Sequence, residues 1–223
     1  MGRRTAQIGV IGVAIGITVA ASDGKAAAHL AAGVAGGRAV KDPEPLSVGV
    51  VVDDRATVAP VVLDHAEKEV ARIHLHAGLK TVWSVASALA DGSPSENRPP
   101  PAAGFTVRLI IQAAFLGHPP EISEFLMGAA PPTTNDCSGP VYVFFDQVTG
   151  FSNVQRMEPS RVLGAVIAHE IGHRLLRRRG HSSEGLMRAP WNATDWEKVS
   201  LGLLLFTTGE RDAIRATISN CRC

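Results

Sequence analysis

Val162-Leu-Gly-Ala-Val-Ile-Ala-His169-Glu170-Ile-Gly-His173-Arg-Leu-Leu176 runs from an uncharged stretch into two histidines four positions apart. At 3.6 residues per turn, side chains at i and i+4 leave one helix face about 5–6 Å apart at Cβ, so both imidazoles are preset to meet one metal ion. Glu170 sits about 100° round the helix from His169, where its carboxylate flanks the pair and can reach a water molecule without being a ligand. An i, i+4 histidine pair also occurs on ordinary surface helices. Two features argue against that plainer reading here. The lack of charge from Val162 to Ala168 predicts a helix buried where the histidines emerge, and buried histidines need partners. Downstream, Gly180-His181 offers a third ligand, and Gly185-Leu-Met187 offers a tight turn ending in methionine.

H-E-x-x-H on a helix is the pattern of zinc metallopeptidases, and from His169 to Trp191 the chain resembles the metzincins, whose motif is H-E-x-x-H-x-x-G-x-x-H followed by a methionine turn. The third histidine of that motif would fall at Arg179, whereas His181 lies twelve residues after His169. The helix-ending glycine would fall at Leu176, whereas the first glycine available is Gly180. The chain is more similar to a group of bacterial secreted metzincin-like proteins with a signature of roughly H-E-I-G-H-L-L-L-G-x-x-x-H-S-x-x-G-I-M-R-A-x-W. Arg177 stands where that group has glycine, so Gly180 is expected to supply the left-handed turn that ends the helix.

The resemblance implies a zincin-like α+β fold: a twisted, mostly parallel sheet of about four strands packed on two helices, with a small C-terminal helical subdomain. It also implies one catalytic Zn2+ ion, His169, His173 and His181 as its ligands, Glu170 as general base, and a peptide or protein substrate. Three neutral histidines and a water make an open four-coordinate site, at which the water's pKa falls to about 7. Glu170 would take the water's proton and pass it to the leaving amine. Within this class, Asp195 or Glu197 could replace His181 as third ligand. From other classes, a zinc-containing binding or structural module would keep the metal and cleave nothing, and an inhibitor-like protein would hold no metal. The carboxylate of Glu170, which a purely structural site does not need, favours the enzyme.

A chain of 223 residues with 45% hydrophobic content suits one sizeable domain. Its net charge of +1 gives no general attraction to nucleic acid. A local cluster, Arg174, Arg177, Arg178 and Arg179, is either a solvated helix end whose cations complement the helix dipole or a selector for acidic substrate side chains. Arg3 and Arg4, the apolar run Ile8 to Val19, and Val19-Ala-Ala21 read as a signal peptide over residues 1–21. Export to the periplasm or outside the cell is expected. The run is shorter than the roughly 20 residues of a membrane span, so no stable insertion is expected after cleavage. Residues 22–45, rich in Ala and Gly and ending Lys41-Asp-Pro-Glu-Pro45, read as a linker before a catalytic domain at 46–223. In an exported chain, Cys137 could bridge to Cys221 or Cys223. No C-x-x-C spacing calls for a second metal.

Leu46 to Val52 reads as a buried strand, Pro60 to Ala77 as an amphipathic helix stopped at Gly78, and Leu79 to Val85 as a second strand. His65, His74 and His76, in or beside that helix, read as surface residues. Ala90 to Gly104 is a proline-rich loop, and Phe105 to Gln112 is a third strand. Gly117 to Gly139 is a long connection with a helical turn near Ser123 to Met127. Val141 to Phe145 is a fourth strand, for which the family resemblance implies an exposed antiparallel edge along the cleft. Thr194-x-x-Glu197 and Thr207-x-x-Glu210 are capping-box patterns opening two late helices, with Trp191 and Trp196 as packing residues. The single tyrosine, Tyr142, does not follow the methionine turn as it does in many metzincins.

Overall fold

Valines at alternating positions place Val48, Val50 and Val52 on one side of the first strand, where each is at most 3% exposed. This strand, β1 (Leu46–Asp54), leads through helix α1 (Pro60–His76) to β2 (Leu79–Val85), which pairs with β1 in parallel. The computed structural model describes residues 46–85, 103–110, 112–116, 126–131, 138–178 and 180–221. The segments expected to be a signal peptide and a linker, most of the expected proline-rich loop, Cys137 and Cys223 lie outside them. So does the expected turn at Ser123 to Met127, apart from Leu126 and Met127, which are not helical.

Pro60 opens α1, where its missing N–H costs nothing and its φ is already helical. Gly78 closes it at φ +75°, donating its N–H to Leu75 O, which is the left-handed exit expected of glycine after a helix.

The third strand, β3 (Ala103–Ile110), begins two residues before the expected start and ends before Gln112. Gln112 instead opens a short helix, α2 (Gln112–Leu116), because its N–H is taken by Asp146 Oδ1 at 3.0 Å. Strands β4 (Gly128–Ala129) and β5 (Ser138–Phe144) complete a five-stranded sheet in the order β2-β1-β3-β5-β4. All neighbours are parallel except β4 and β5. The fold is therefore the expected α+β arrangement, a mostly parallel sheet with helices packed on it, with one more strand. The antiparallel edge, however, is β4 and not Val141 to Phe145. Strand β5 lies inside the sheet between β3 and β4, and Phe145 begins the next helix.

That helix, α3 (Phe145–Gln155), precedes α4 (Pro159–Leu175), which carries the two histidines. From Val162 to Gly172 every residue of α4 is buried, as a helix apolar on all sides must be. Helices α1 and α4 approach closely at Gly164, where a Cβ would lie 2.7 Å from Glu69 Cβ and 2.9 Å from Ala66 O. The buried Glu69 carboxylate binds Arg72 of its own helix and Arg161 of α4, both at 2.6 Å, locking the pair in register. Helices α5 (Ala193–Leu201) and α6 (Thr208–Ser219) follow, and Val199, Ile214 and Ile218 join the same core as the sheet valines. Among the described residues no helix is long and apolar enough to cross a membrane.

His74 departs from the surface reading: it is fully buried, its Nδ1 lying 2.8 Å from Thr81 Oγ1, while His65 and His76 are exposed. Desolvation lowers the His74 pKa to about 4.

Candidate metal centre

His169 and His173 leave α4 on one face, their ring centroids 4.7 Å apart. His181 comes back to them across the following loop, with centroids 5.4 Å from His169 and 4.9 Å from His173. One nitrogen from each of the three rings lies within 4.8 Å of the others. Among the described residues, no other grouping of histidine, cysteine and carboxylate side chains could hold a metal in this way.

Hydrogen bonding fixes which nitrogens are presented. His169 Nδ1 donates to Leu186 O at 2.8 Å, and His173 Nδ1 donates to Arg178 O at 3.1 Å. With the Nδ1 protons so used, both Nε2 atoms carry lone pairs, and they face one another 3.1 Å apart. Two lone pairs at that distance repel unless a cation sits between them. Nitrogens about 2.0–2.1 Å from zinc at a tetrahedral angle are about 3.3 Å apart, so the spacing fits a shared metal. Burial lowers the His169 pKa to about 4 and depresses that of His173. Both rings are thereby held neutral, the form that ligates metal.

Glu170 is 7% exposed, and burial raises its pKa to about 8; a cation at the histidines would oppose that shift. Its carboxylate faces the edge strand, where a Cβ on Gly128 would lie 2.7 Å from both Glu170 Cγ and Oε1. Only glycine lets β4 approach the acid so closely. His169, Glu170, His173 and His181 line a cleft of about 820 Å³. Met127 to Ala130 form one wall, and Phe151, Trp191 and Trp196 stand on its apolar side. The Trp196 ring lies tilted against Phe151, centroids 4.2 Å apart, and meets Trp191 edge to face at 4.9 Å.

Sequence reading placed the helix end differently. The left-handed residue that ends the helix is Arg177, at φ 52° and ahead of Gly180. Arg177 N–H donates to Arg174 O and Arg178 N–H to His173 O, the paired bonds of a Schellman ending with arginine in the glycine position. Gly185, two residues before Met187, is itself in a left-handed conformation at φ +72°. Met187 is fully buried, and its Sδ would be 2.5 Å from a Cβ added to Gly172 between the histidines.

The alternative third ligands are engaged or remote. Asp195 is buried, accepts from Asn192 N–H and pairs with Arg188 at 3.2 Å, while Glu197 is exposed. The capping box of α5 is thus Asn192 with Asp195, not Thr194 with Glu197. At α6 the expected box, Thr207 with Glu210, is present. Within the arginine cluster, Arg174 is buried and donates to Pro140 O, Arg178 pairs with Glu210 at 2.9 Å, and Arg179 lies outside the described residues. Arg177 and Arg178 are exposed, and Arg174, Arg177 and Arg178 all line the cleft. Tyr142 does not line the cleft; its hydroxyl lies 3.4 Å from Arg108 Nη1.

No protein-family model matches the chain, and no curated protein is similar to it. Among solved structures, archaemetzincin from Methanopyrus kandleri aligns with a TM-score of 0.41 at 14% identity, covering 81% of this chain and 99% of that one. A likeness that distant fixes neither family nor activity.

Proposed function

We propose that this chain is a metzincin-like zinc metallopeptidase, with His169, His173 and His181 holding one Zn2+ ion and Glu170 as general base. The observation that carries this reading is the pair of Nε2 atoms facing each other 3.1 Å apart, with His181 closing the third side and the buried Glu170 carboxylate next to His169 in sequence. Zinc held there would supply Lewis acidity, polarising a peptide carbonyl and acidifying a water molecule.

The chain's own groups do the rest. The carbonyls of Leu186 and Arg178 fix the imidazole tautomers, and such second-layer contacts orient metal-binding rings. The Glu170 carboxylate would take the proton from water and return it to the leaving amine. Strand β4, at the edge of the sheet and lining the cleft, would pair with an extended peptide through its backbone, giving affinity with little sequence demand. Phe151, Trp191 and Trp196 would then receive a large apolar side chain beside the scissile bond.

Cleavage of a mixed peptide library by zinc-loaded protein, beside Glu170→Ala protein loaded identically, tests the reading. Cleavage enriched at large apolar residues and lost in the variant supports it. Equal cleavage by both would remove Glu170 from the chemistry, and none by either at full zinc occupancy would leave a binding module. Export is part of the same proposal: residues 1–21 are removed and the mature chain starts near Ser22. N-terminal sequencing of the exported protein checks that.

A further inference from the structure

After α4 ends, none of the described residues from Arg177 to Gly185 is buried. His181 itself is exposed, and hydrophobic burial resumes only at Leu186. Apolar packing therefore does not set the position of the third imidazole. Polar ties must, and they converge on one carboxylate. Glu210 of α6 is 5% exposed, and its Oε1 accepts from Arg178 Nη2 at 2.9 Å and from Ser182 Oγ. Arg178 Nη2 also donates to Ser182 Oγ. The other oxygen, Oε2, accepts from Thr207 N–H at 2.8 Å, so the clasp is anchored to the start of α6.

The two residues so held are the ones that matter for the site. Arg178 supplies the carbonyl that accepts from His173 Nδ1, and Ser182 is next to His181. Ser182 N–H is further tied to Met187 O at 2.8 Å. We propose that Glu210 is a positioning residue for the metal centre: through Arg178 and Ser182 it holds the His173 acceptor and the His181 backbone in ligating register. This rests on the zinc reading above. It predicts a loss expressed in metal affinity more than in folding, because Arg178, with its side chain 41% exposed, can return to water when the carboxylate is removed.

The test uses the full chain and four variants: Glu210→Ala, Glu210→Gln, Arg178→Ala and Thr207→Ala. Zinc affinity is measured by competition with a chromophoric chelator, and Co2+ is added separately to read ligand geometry from its visible absorption. Glu210→Ala and Arg178→Ala should each weaken zinc binding roughly tenfold to a hundredfold, the range for lost second-layer partners, and should alter the Co2+ bands. Glu210→Gln, which keeps acceptor capacity but not the charge facing Arg178, should lose less. Thr207→Ala breaks the other half of the capping box while sparing the carboxylate, so it should lower the melting temperature and leave affinity and Co2+ bands unchanged. The proposal is overturned if Glu210→Ala and Arg178→Ala bind zinc as the parent does, or if Thr207→Ala loses as much affinity as Glu210→Ala. A parent chain that binds no zinc would instead overturn the metal reading, and this proposal with it.

Discussion

Replacing Gly172 with alanine sets two opposing effects against each other within the motif itself. The new methyl would lie 2.5 Å from Met187 Sδ and 2.8 Å from Phe206 Cε1, where ordinary contacts are about 3.5–4.0 Å. Met187 and Phe206 are at most 3% exposed, so neither can swing into solvent, and overpacking of this kind costs about 1–3 kcal/mol. Against it, alanine in place of a helical glycine gains about 1 kcal/mol. The clash should win, leaving a net loss of about 1 kcal/mol. Gly150 in α3 is the matched control, since nothing lies within 4 Å of its virtual Cβ; Gly150→Ala should raise stability by about 0.5–1 kcal/mol. Urea denaturation in the presence of a chelator compares them without the contribution of metal binding. If Gly172→Ala stabilised the protein as much as Gly150→Ala, the packing of Met187 against Gly172 would be refuted.

Gly128→Ala would press a methyl against the Glu170 carboxylate at 2.7 Å; peptide cleavage should fall about a hundredfold with zinc content unchanged, and full activity in this variant would contradict the placement of the general base. Arg177 occupies a left-handed conformation at φ 52° that costs a side chain about 1–2 kcal/mol, so Arg177→Gly should raise the denaturation midpoint, and a lowered midpoint would count against the helix ending described. His74 binds fewer protons folded, with a pKa of about 4, than unfolded, near 6.5. Its neutral burial therefore contributes fully above about pH 7, and that contribution falls away as pH drops from 6.5 toward 4, by about 3 kcal/mol in all. His74→Asn, which cannot titrate, should flatten this acid dependence in urea titrations across pH; parallel curves for parent and variant would refute it.

What could be read from sequence alone follows a physical division. Alternating valines and a helix bounded by Pro60 and Gly78 identified the β1-α1-β2 unit, because local period and end signals agree there. The spacing of His169, Glu170, His173 and His181 likewise marked residues that the fold brings together, since one helix fixes most of it. Strand β4 was missed because two residues, Gly128 and Ala129, carry no strand pattern of their own and take their state from pairing with β5. His74 was misplaced for a related reason: its neighbours Leu75 and His76 are exposed, and only the tertiary contact with Thr81 shows that its own ring faces inward. The helix end at Arg177 ran against the glycine rule, and there tertiary ties to Arg178 outweigh local preference. Glu210 was legible only as a capping residue, because the partners of its second oxygen lie 28 and 32 positions away in sequence.

Zinc titration of the parent chain beside His181→Ala and Glu197→Ala tests the central claim most directly. The three-histidine site predicts one zinc per parent chain, severe loss of affinity in His181→Ala, and parental binding in Glu197→Ala. Undiminished zinc binding by His181→Ala, or loss on replacing Glu197, would contradict it.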